Sequence, residues 1–179
     1  MTAPAAAQTS VQRLALHDFD GEIASTRRIL ERVPDEHFDW KPHPKSKSLG
    51  ELASHVATIV GLQNIVIRED ELDFMRPGAR VLPPAAKSRA ELLDTFDQTV
   101  ASVRASLATV TDDATWSRPW ALRRGEQTIF ELPKVAAFRT LGLSHLVHHR
   151  GQLTVYLRLL DVPVPGMYGP SADEPLGAR

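Results

Sequence analysis

Three of the seven histidines fall within five residues, in Leu143-Ser-His-Leu-Val-His-His-Arg-Gly-Gln-Leu153. Apolar residues surround them at helical spacing: Leu141, Leu146, Leu153, Tyr156, Leu157 and Leu160. Residues four apart on a helix share a face, with about 5–6 Å between their Cβ atoms. His145 and His149 can therefore direct both imidazoles at one point, and Gln152 and Tyr156 fall in the same narrow sector. His148 lies at its edge. A helix with such a face needs other helices against its apolar residues and a partner for its imidazoles.

Three earlier segments supply the helices. From Ser10, a stripe of Leu16, Phe19, Ile23, Thr26, Leu30 and Val33 runs to Pro34, which stops it. Residues 35–47 hold Pro42 and Pro44 and read as a connection, packed onto the bundle by Trp40. Ser48-Leu-Gly-Glu51 is a capping box that starts a second helix, expected to run to about Arg68. Its seam is Leu52, His55, Ile59, Leu62 and Val66. Residues 70–87 form a long connection broken by Pro77-Gly78 and Pro83-Pro84, of the kind that crosses a bundle from end to end. Ser88 and Glu91 form a second capping box, before a seam of Leu92 or Leu93, Phe96, Val100, Val103 and Leu107. The fourth helix begins near Pro133 and ends before Asp161-Val-Pro-Val-Pro-Gly166.

The expected fold is all-α: a four-helix bundle with a long crossover connection. Residues 1–9 read as a flexible tail and 10–179 as a single domain. A small hairpin before the last helix, turning at Arg124-Gly125, is the one place where strand structure is plausible. Gly142 and Gly151 each cost the last helix about 1 kcal/mol relative to alanine, and close approach of a neighbouring helix or ligand is one use for them. The tail from Met167 to Glu174 is expected to fold back on the bundle.

Composition narrows the function. The formal net charge is −1, so no field draws the chain to nucleic acid or to an acidic membrane surface. No apolar run approaches the roughly 18–20 residues of a membrane span. The amino terminus lacks the basic and apolar regions of a signal peptide, which leaves the cytoplasm as the expected location. There is no cysteine, so disulfides, thiolate metal sites and a cysteine nucleophile are excluded. Arg118, Arg123 and Arg124 form a local basic cluster, read as a solvated face or as a contact for an anionic substrate.

His55 at a core position admits two readings, a buried neutral histidine with a hydrogen-bond partner or a metal ligand. Several imidazoles on buried faces have a desolvation problem if charged. A divalent metal resolves it, because neutral imidazole is a preferred ligand. The i, i+4 pair His145 and His149 presents two nitrogens, and His55 can supply a third. Leu146 stands where the metalloprotease helix has its glutamate, so that mechanism is not supported. Three protein ligands leave a position for water or substrate. The donors suit zinc or nickel first, then manganese or iron. His148 reads as a group behind the ligands, a proton carrier, or an outward-facing histidine. Asp173 and Glu174 are candidate bases if the tail covers the site.

Ser48-Leu-Gly-Glu-Leu-Ala-Ser-His55, His145-Leu-Val-His-His-Arg-Gly-Gln-Leu153 and Val162-Pro-Val-Pro-Gly-Met-Tyr-Gly-Pro-Ser-Ala-Asp-Glu174 together resemble the DinB/YfiT-like superfamily. The resemblance spans about residues 10–174. It implies a four-helix bundle, often a homodimer, with a divalent metal on His55, His145 and His149. It further implies a metal-dependent transferase acting on a small-molecule substrate with a low-molecular-weight thiol. A metal-dependent hydrolase and a non-catalytic metal-binding stress protein are the alternatives.

Overall fold

The computed structural model describes residues 10–78 and 83–175. The expected tail at 1–9 lies outside the described residues. Helix α1 spans Ser10–Leu30, and a single 3-10 turn follows at Asp35–His37. The second helix is two pieces, α2 at Leu49–Ile59 and α3 at Leu62–Arg68. The break falls at Val60-Gly61. The Thr58 hydroxyl donates back to the Ser54 carbonyl at 2.8 Å, and such back-bonding bends helices. Helix α4 spans Arg89–Ala108 and a short α5 spans Ala114–Ser117. The final helix has three parts: α6 at Lys134–Ala137, a π-helical stretch at Phe138–Ser144, and α7 at His145–Leu159.

The Ser48–Glu51 capping box is present in full, with Glu51 N–H donating to Ser48 Oγ at 3.1 Å and Ser48 N–H to Glu51 Oε2 at 2.7 Å. The second box is half formed. Ser88 Oγ accepts from Glu91 N–H, but the Glu91 carboxylate accepts from Lys87 N–H instead. Ser88 is more extended than Ser48, at φ −152° against −69°, which turns its own N–H aside. At the far end of α7, Asp161 adopts φ 57°, while Val162 N–H reaches the Leu157 carbonyl and Asp161 N–H the Arg158 carbonyl. This Schellman arrangement closes the helix and turns the chain back.

Side-chain contacts give the helix directions. Asn64 bonds Ser102 and Arg68 bonds Ser106, so α3 and α4 run parallel. Arg27 pairs with Asp97 and Arg104 with Asp20, so α1 and α4 are antiparallel. Tyr156 donates to the Lys47 carbonyl while Gly142 lies against Gln63, so α7 runs antiparallel to α2 and α3. The packed neighbours close a ring of α1, α4, α2 and α7 around one core. Because α3 and α4 are parallel, the connection between them travels back along the bundle, as a crossover must.

The fold is not all-α. Helices dominate, but a three-stranded sheet joins β1 at Glu71–Asp73, β2 at Pro119–Arg124 and β3 at Gln127–Pro133. Strand β1 lies inside the long connection and pairs parallel to β2, Leu72 opposite Leu122. Three residues with a single apolar side chain carry no period-2 signal, which hid this strand from the sequence. The β2–β3 hairpin was legible, but it turns at Gly125-Glu126, one residue later than expected, with Gly125 at φ 60°. The sheet fixes the start of the last helix. Buried Lys134 donates to the Ile67 and Glu69 carbonyls at 3.2 and 2.7 Å, tying α6 to the end of α3. Among the described residues, no helix is long and apolar enough to cross a membrane.

Candidate metal centre

The capping box starts α2 at Leu49, so His55 sits nearly two turns in, on the face turned toward α7. His145 opens α7 and His149 follows one turn later. The antiparallel packing of α2 on α7 brings all three together. The His55 ring centroid lies 4.5 Å from that of His149 and 5.4 Å from that of His145. Nε2 of His145 and Nε2 of His149 are 2.9 Å apart. One nitrogen from each of the three lies within 4.8 Å of the others, and all three side chains are half-buried.

The surroundings set the protonation state. Burial pushes the His55 pKa down to about 4, helped by the charges that His149, His145 and Lys47 would place beside it. Burial also lowers His145, with His149 and His148 adding to the effect. His149 is lowered by burial, opposed by its hydrogen bond to Gln152. All three are therefore neutral near pH 7, the form that offers a lone pair to a cation.

Gln152 orders the pair. His149 Nδ1–H donates to Gln152 Oε1 at 2.8 Å, and Gln152 Nε2–H donates to His148 Nε2 at 3.2 Å. This assignment follows from the amide's one acceptor and one donor end. It leaves His149 Nε2 bare, aimed toward His145. His148 is exposed and stands outside the trio, behind His149 through Gln152. Tyr156 continues the same helix sector, meeting Trp40 edge-on at 5.7 Å between centroids. Trp40 thus packs the first connection onto the bundle, as expected.

Two other groups of residues do not join the site. Arg118 pairs with Asp70 at 2.7 Å and Arg123 with Glu71 at 3.8 Å, neutralising the acidic entry to β1. The tail does fold back, but over α1 and the outer part of α7. Asp173 pairs with Arg158, and Glu174 pairs with Arg28 and Arg32. Both carboxylates are held below their usual range by these bonds, and neither serves as a base at the histidines.

Arg150 was missed as a structural element. It neighbours His149 in sequence yet is buried on a different face, against α1, 2% exposed. It pairs with Glu22 at 2.7 Å and donates to Thr26 Oγ1 at 3.1 Å and Tyr168 Oη at 2.7 Å. An arginine between exposed-looking neighbours carries no burial signal in sequence. Gly142 does mark a close approach, since a Cβ there would collide with the Gln63 side chain. Gly151 does not, for nothing lies within 4 Å of its Cβ position.

A family model of the DinB superfamily matches residues 18–153, a span that contains all three histidines. The chain belongs to the DinB superfamily. Among relatives of this DinB-superfamily protein is the uncharacterized protein YrdA of Bacillus subtilis strain 168, 26% identical over 159 residues and covering 89% of each chain. A DinB-like protein from Bacillus cereus ATCC 10987 has a similar fold, with a TM-score of 0.65 at 22% identity over 86% of this chain and 95% of that one. The DinB-like protein YjoA from Bacillus subtilis gives 0.66 at 21% identity, over 86% and 97%.

The donor set fits a divalent ion. Two imidazole nitrogens about 2.1 Å from one ion can stand at most roughly 4.2 Å apart, so the trio needs no more than a small ring rotation. Neutral nitrogens and one tautomer already fixed by an amide are what a histidine site requires.

Proposed function

We propose that His55, His145 and His149 hold one divalent metal ion, and that the protein is a metal-dependent transferase using a low-molecular-weight thiol. One observation carries the reading. Three neutral imidazoles converge from two helices, and a cavity of about 220 Å³ opens beside His55, lined also by Lys47, Glu51, Ser54, Thr58 and Pro83. Three protein ligands would leave a position for an exogenous ligand, and the cavity meets the trio at His55. A bound ion would lower the pKa of a coordinated thiol, giving a thiolate at neutral pH.

The protein's own groups do the positioning. Gln152 holds His149 in the tautomer with Nε2 bare. His55, from the other helix, closes the ligand set. Lys47 stands at the cavity wall as a cation for an anionic substrate group. Glu51, the acidic residue on that wall, is committed to the Ser48 amide at 2.7 Å and to Lys41 at 3.6 Å. A hydrolase that relied on a free carboxylate there to take a proton from water would find Glu51 engaged. A bound ion would acidify a coordinated water or a coordinated thiol alike, so the preference for the transferase rests on the family resemblance. Zinc or nickel is the preferred ion, with manganese and iron compatible.

The reading also includes a cytoplasmic location and a homodimer, the dimer supported by Val155 and Leu159, which are 56% and 59% exposed on α7. Sedimentation of the purified protein tests the assembly. The activity is tested with cobalt-substituted protein titrated with glutathione, bacillithiol and mycothiol. A sulfur-to-cobalt charge-transfer band with at least one thiol is expected. No spectral change with any of them would count against the transferase and leave a non-catalytic metal-binding protein.

A further inference from the structure

The final helix changes its winding immediately before the histidine pair. Buried positions on it recur every four residues from Lys134 through Phe138, Gly142 and Leu146 to Arg150. An α-helix has 3.6 residues per turn, so each four-residue step drifts about 40° around the axis. Four such steps would carry the buried face roughly 160° away. The π-helical stretch at Phe138–Ser144 absorbs most of the drift, because one extra residue in a turn resets the phase by about 100°. His145 is the next residue. The direction in which His145 and His149 point is therefore set by whether that wide turn stays open.

One side chain touches it at two points. Gln63 of α3 is fully buried and occupies the space that a Cβ on Gly142 would take. Its Nε2 lies 3.5 Å from the Phe138 carbonyl, at the first residue of the stretch. Its Oε1 is buried without a hydrogen-bond partner. A buried glutamine half-satisfied in this way is a costly choice for mere filling. We propose that Gln63 is a positioning residue, a wedge against Gly142 that holds the π turn open and so aims His145 and His149 at His55. The proposal rests on the metal reading for its consequence, but the wedge itself is a property of the metal-free fold.

The test uses the full chain with Gln63→Ala, Gln63→Met and Gly142→Ala. Amide hydrogen exchange of the metal-free proteins is read at Phe138–Ser144, and cobalt affinity and visible spectrum are read by titration. Gln63→Ala is expected to speed exchange in that stretch, weaken cobalt binding about tenfold or more, and change the d–d spectrum, with helical circular dichroism retained. Gln63→Met restores the volume and most of the affinity. Gly142→Ala, which forces the wedge out, behaves like Gln63→Ala. If Gln63→Ala does not fold, Gln63→Asn carries the same expectations at smaller size. Unchanged exchange at Phe138–Ser144 overturns the proposal, as does altered exchange with wild-type cobalt affinity and spectrum. A wild-type protein that binds no cobalt would defeat the metal reading alone, and the exchange data would still decide the wedge.

Discussion

His145 and His149 meet Nε2 to Nε2 at 2.9 Å, one turn apart on the same helix, with the ring of His55 packed edge-on against each. Two nitrogens this close share a single proton in the metal-free protein or a single cation in its place. Alanine at His55, His145 or His149 is therefore expected to abolish binding of about one ion per chain. His148→Ala should keep that stoichiometry. Elemental analysis of the purified variants decides it, and full occupancy in His149→Ala would break the assignment.

The lowered pKa of His55 has a defined sign. A histidine at about 4 when folded and 6.5 when unfolded binds protons less readily in the native state. Its contribution to stability is present above pH 6.5 and is lost as pH falls toward 4. Metal-free protein should thus show a urea midpoint that declines between pH 7 and pH 5, above the range where the carboxylates titrate. His55→Leu should flatten that slope. Equal slopes in both proteins would show that His55 is not the group responsible.

Metal affinity follows the same chemistry. Ligands have to be unprotonated, and ordinary imidazoles begin to lose that competition at about pH 6.5. All three histidines here are lowered by burial, so affinity should persist to lower pH than a surface histidine cluster allows. Competitive zinc titrations at pH 7 and pH 6 measure this, and a steep loss already at pH 6 would contradict it.

Gln152 holds the His149 tautomer, so Gln152→Leu should weaken metal binding about tenfold to a hundredfold while leaving folding intact. A titration of the variant beside His148→Ala separates the amide's effect on His149 from any effect relayed through His148. Unaltered affinity in Gln152→Leu would mean that the amide does not set the ligand.

Arg150→Met removes a buried guanidinium and leaves the Glu22 carboxylate, which is 19% exposed, with the Tyr168 hydroxyl as a remaining partner. Losing a charge-assisted bond of this kind costs about 1.5–3 kcal/mol. The urea midpoint should fall accordingly, and the segment around Tyr168 should become open to proteolysis. A variant as stable as the parent would show the network to be dispensable.

Much of this was legible beforehand because it rests on strong periodic signals. Phe19, Ile23, Thr26, Leu30 and Val33 are all buried as their spacing requires, and so are Phe96, Val100, Val103 and Leu107. His55 was visible because it interrupts an apolar seam. What escaped was of a different kind. The break at Gly61 rests on a local bond from Thr58 back to Ser54, while the strand Glu71–Asp73 and the π stretch depend on tertiary partners. The four-residue burial period that runs past His145 includes Lys134, Gly142 and Arg150, none of which reads as core. The trio's convergence followed from antiparallel packing of α2 on α7, which spacing along one helix does not reveal.

Helix α7 is held on two different faces, about 100° apart, at adjacent residues. His149 faces α2, while Arg150 is sunk among Glu22 and Thr26 of α1. Turning the helix to adapt one side would tear the other, so it is keyed like a shaft in a slot. Accommodation of molecules of different size then falls to the two connections that border the cavity, around Lys47 and around Pro83. These stretches can change in length and composition without disturbing either side of the key, so diversification of ligand preference among bundles built this way would concentrate there.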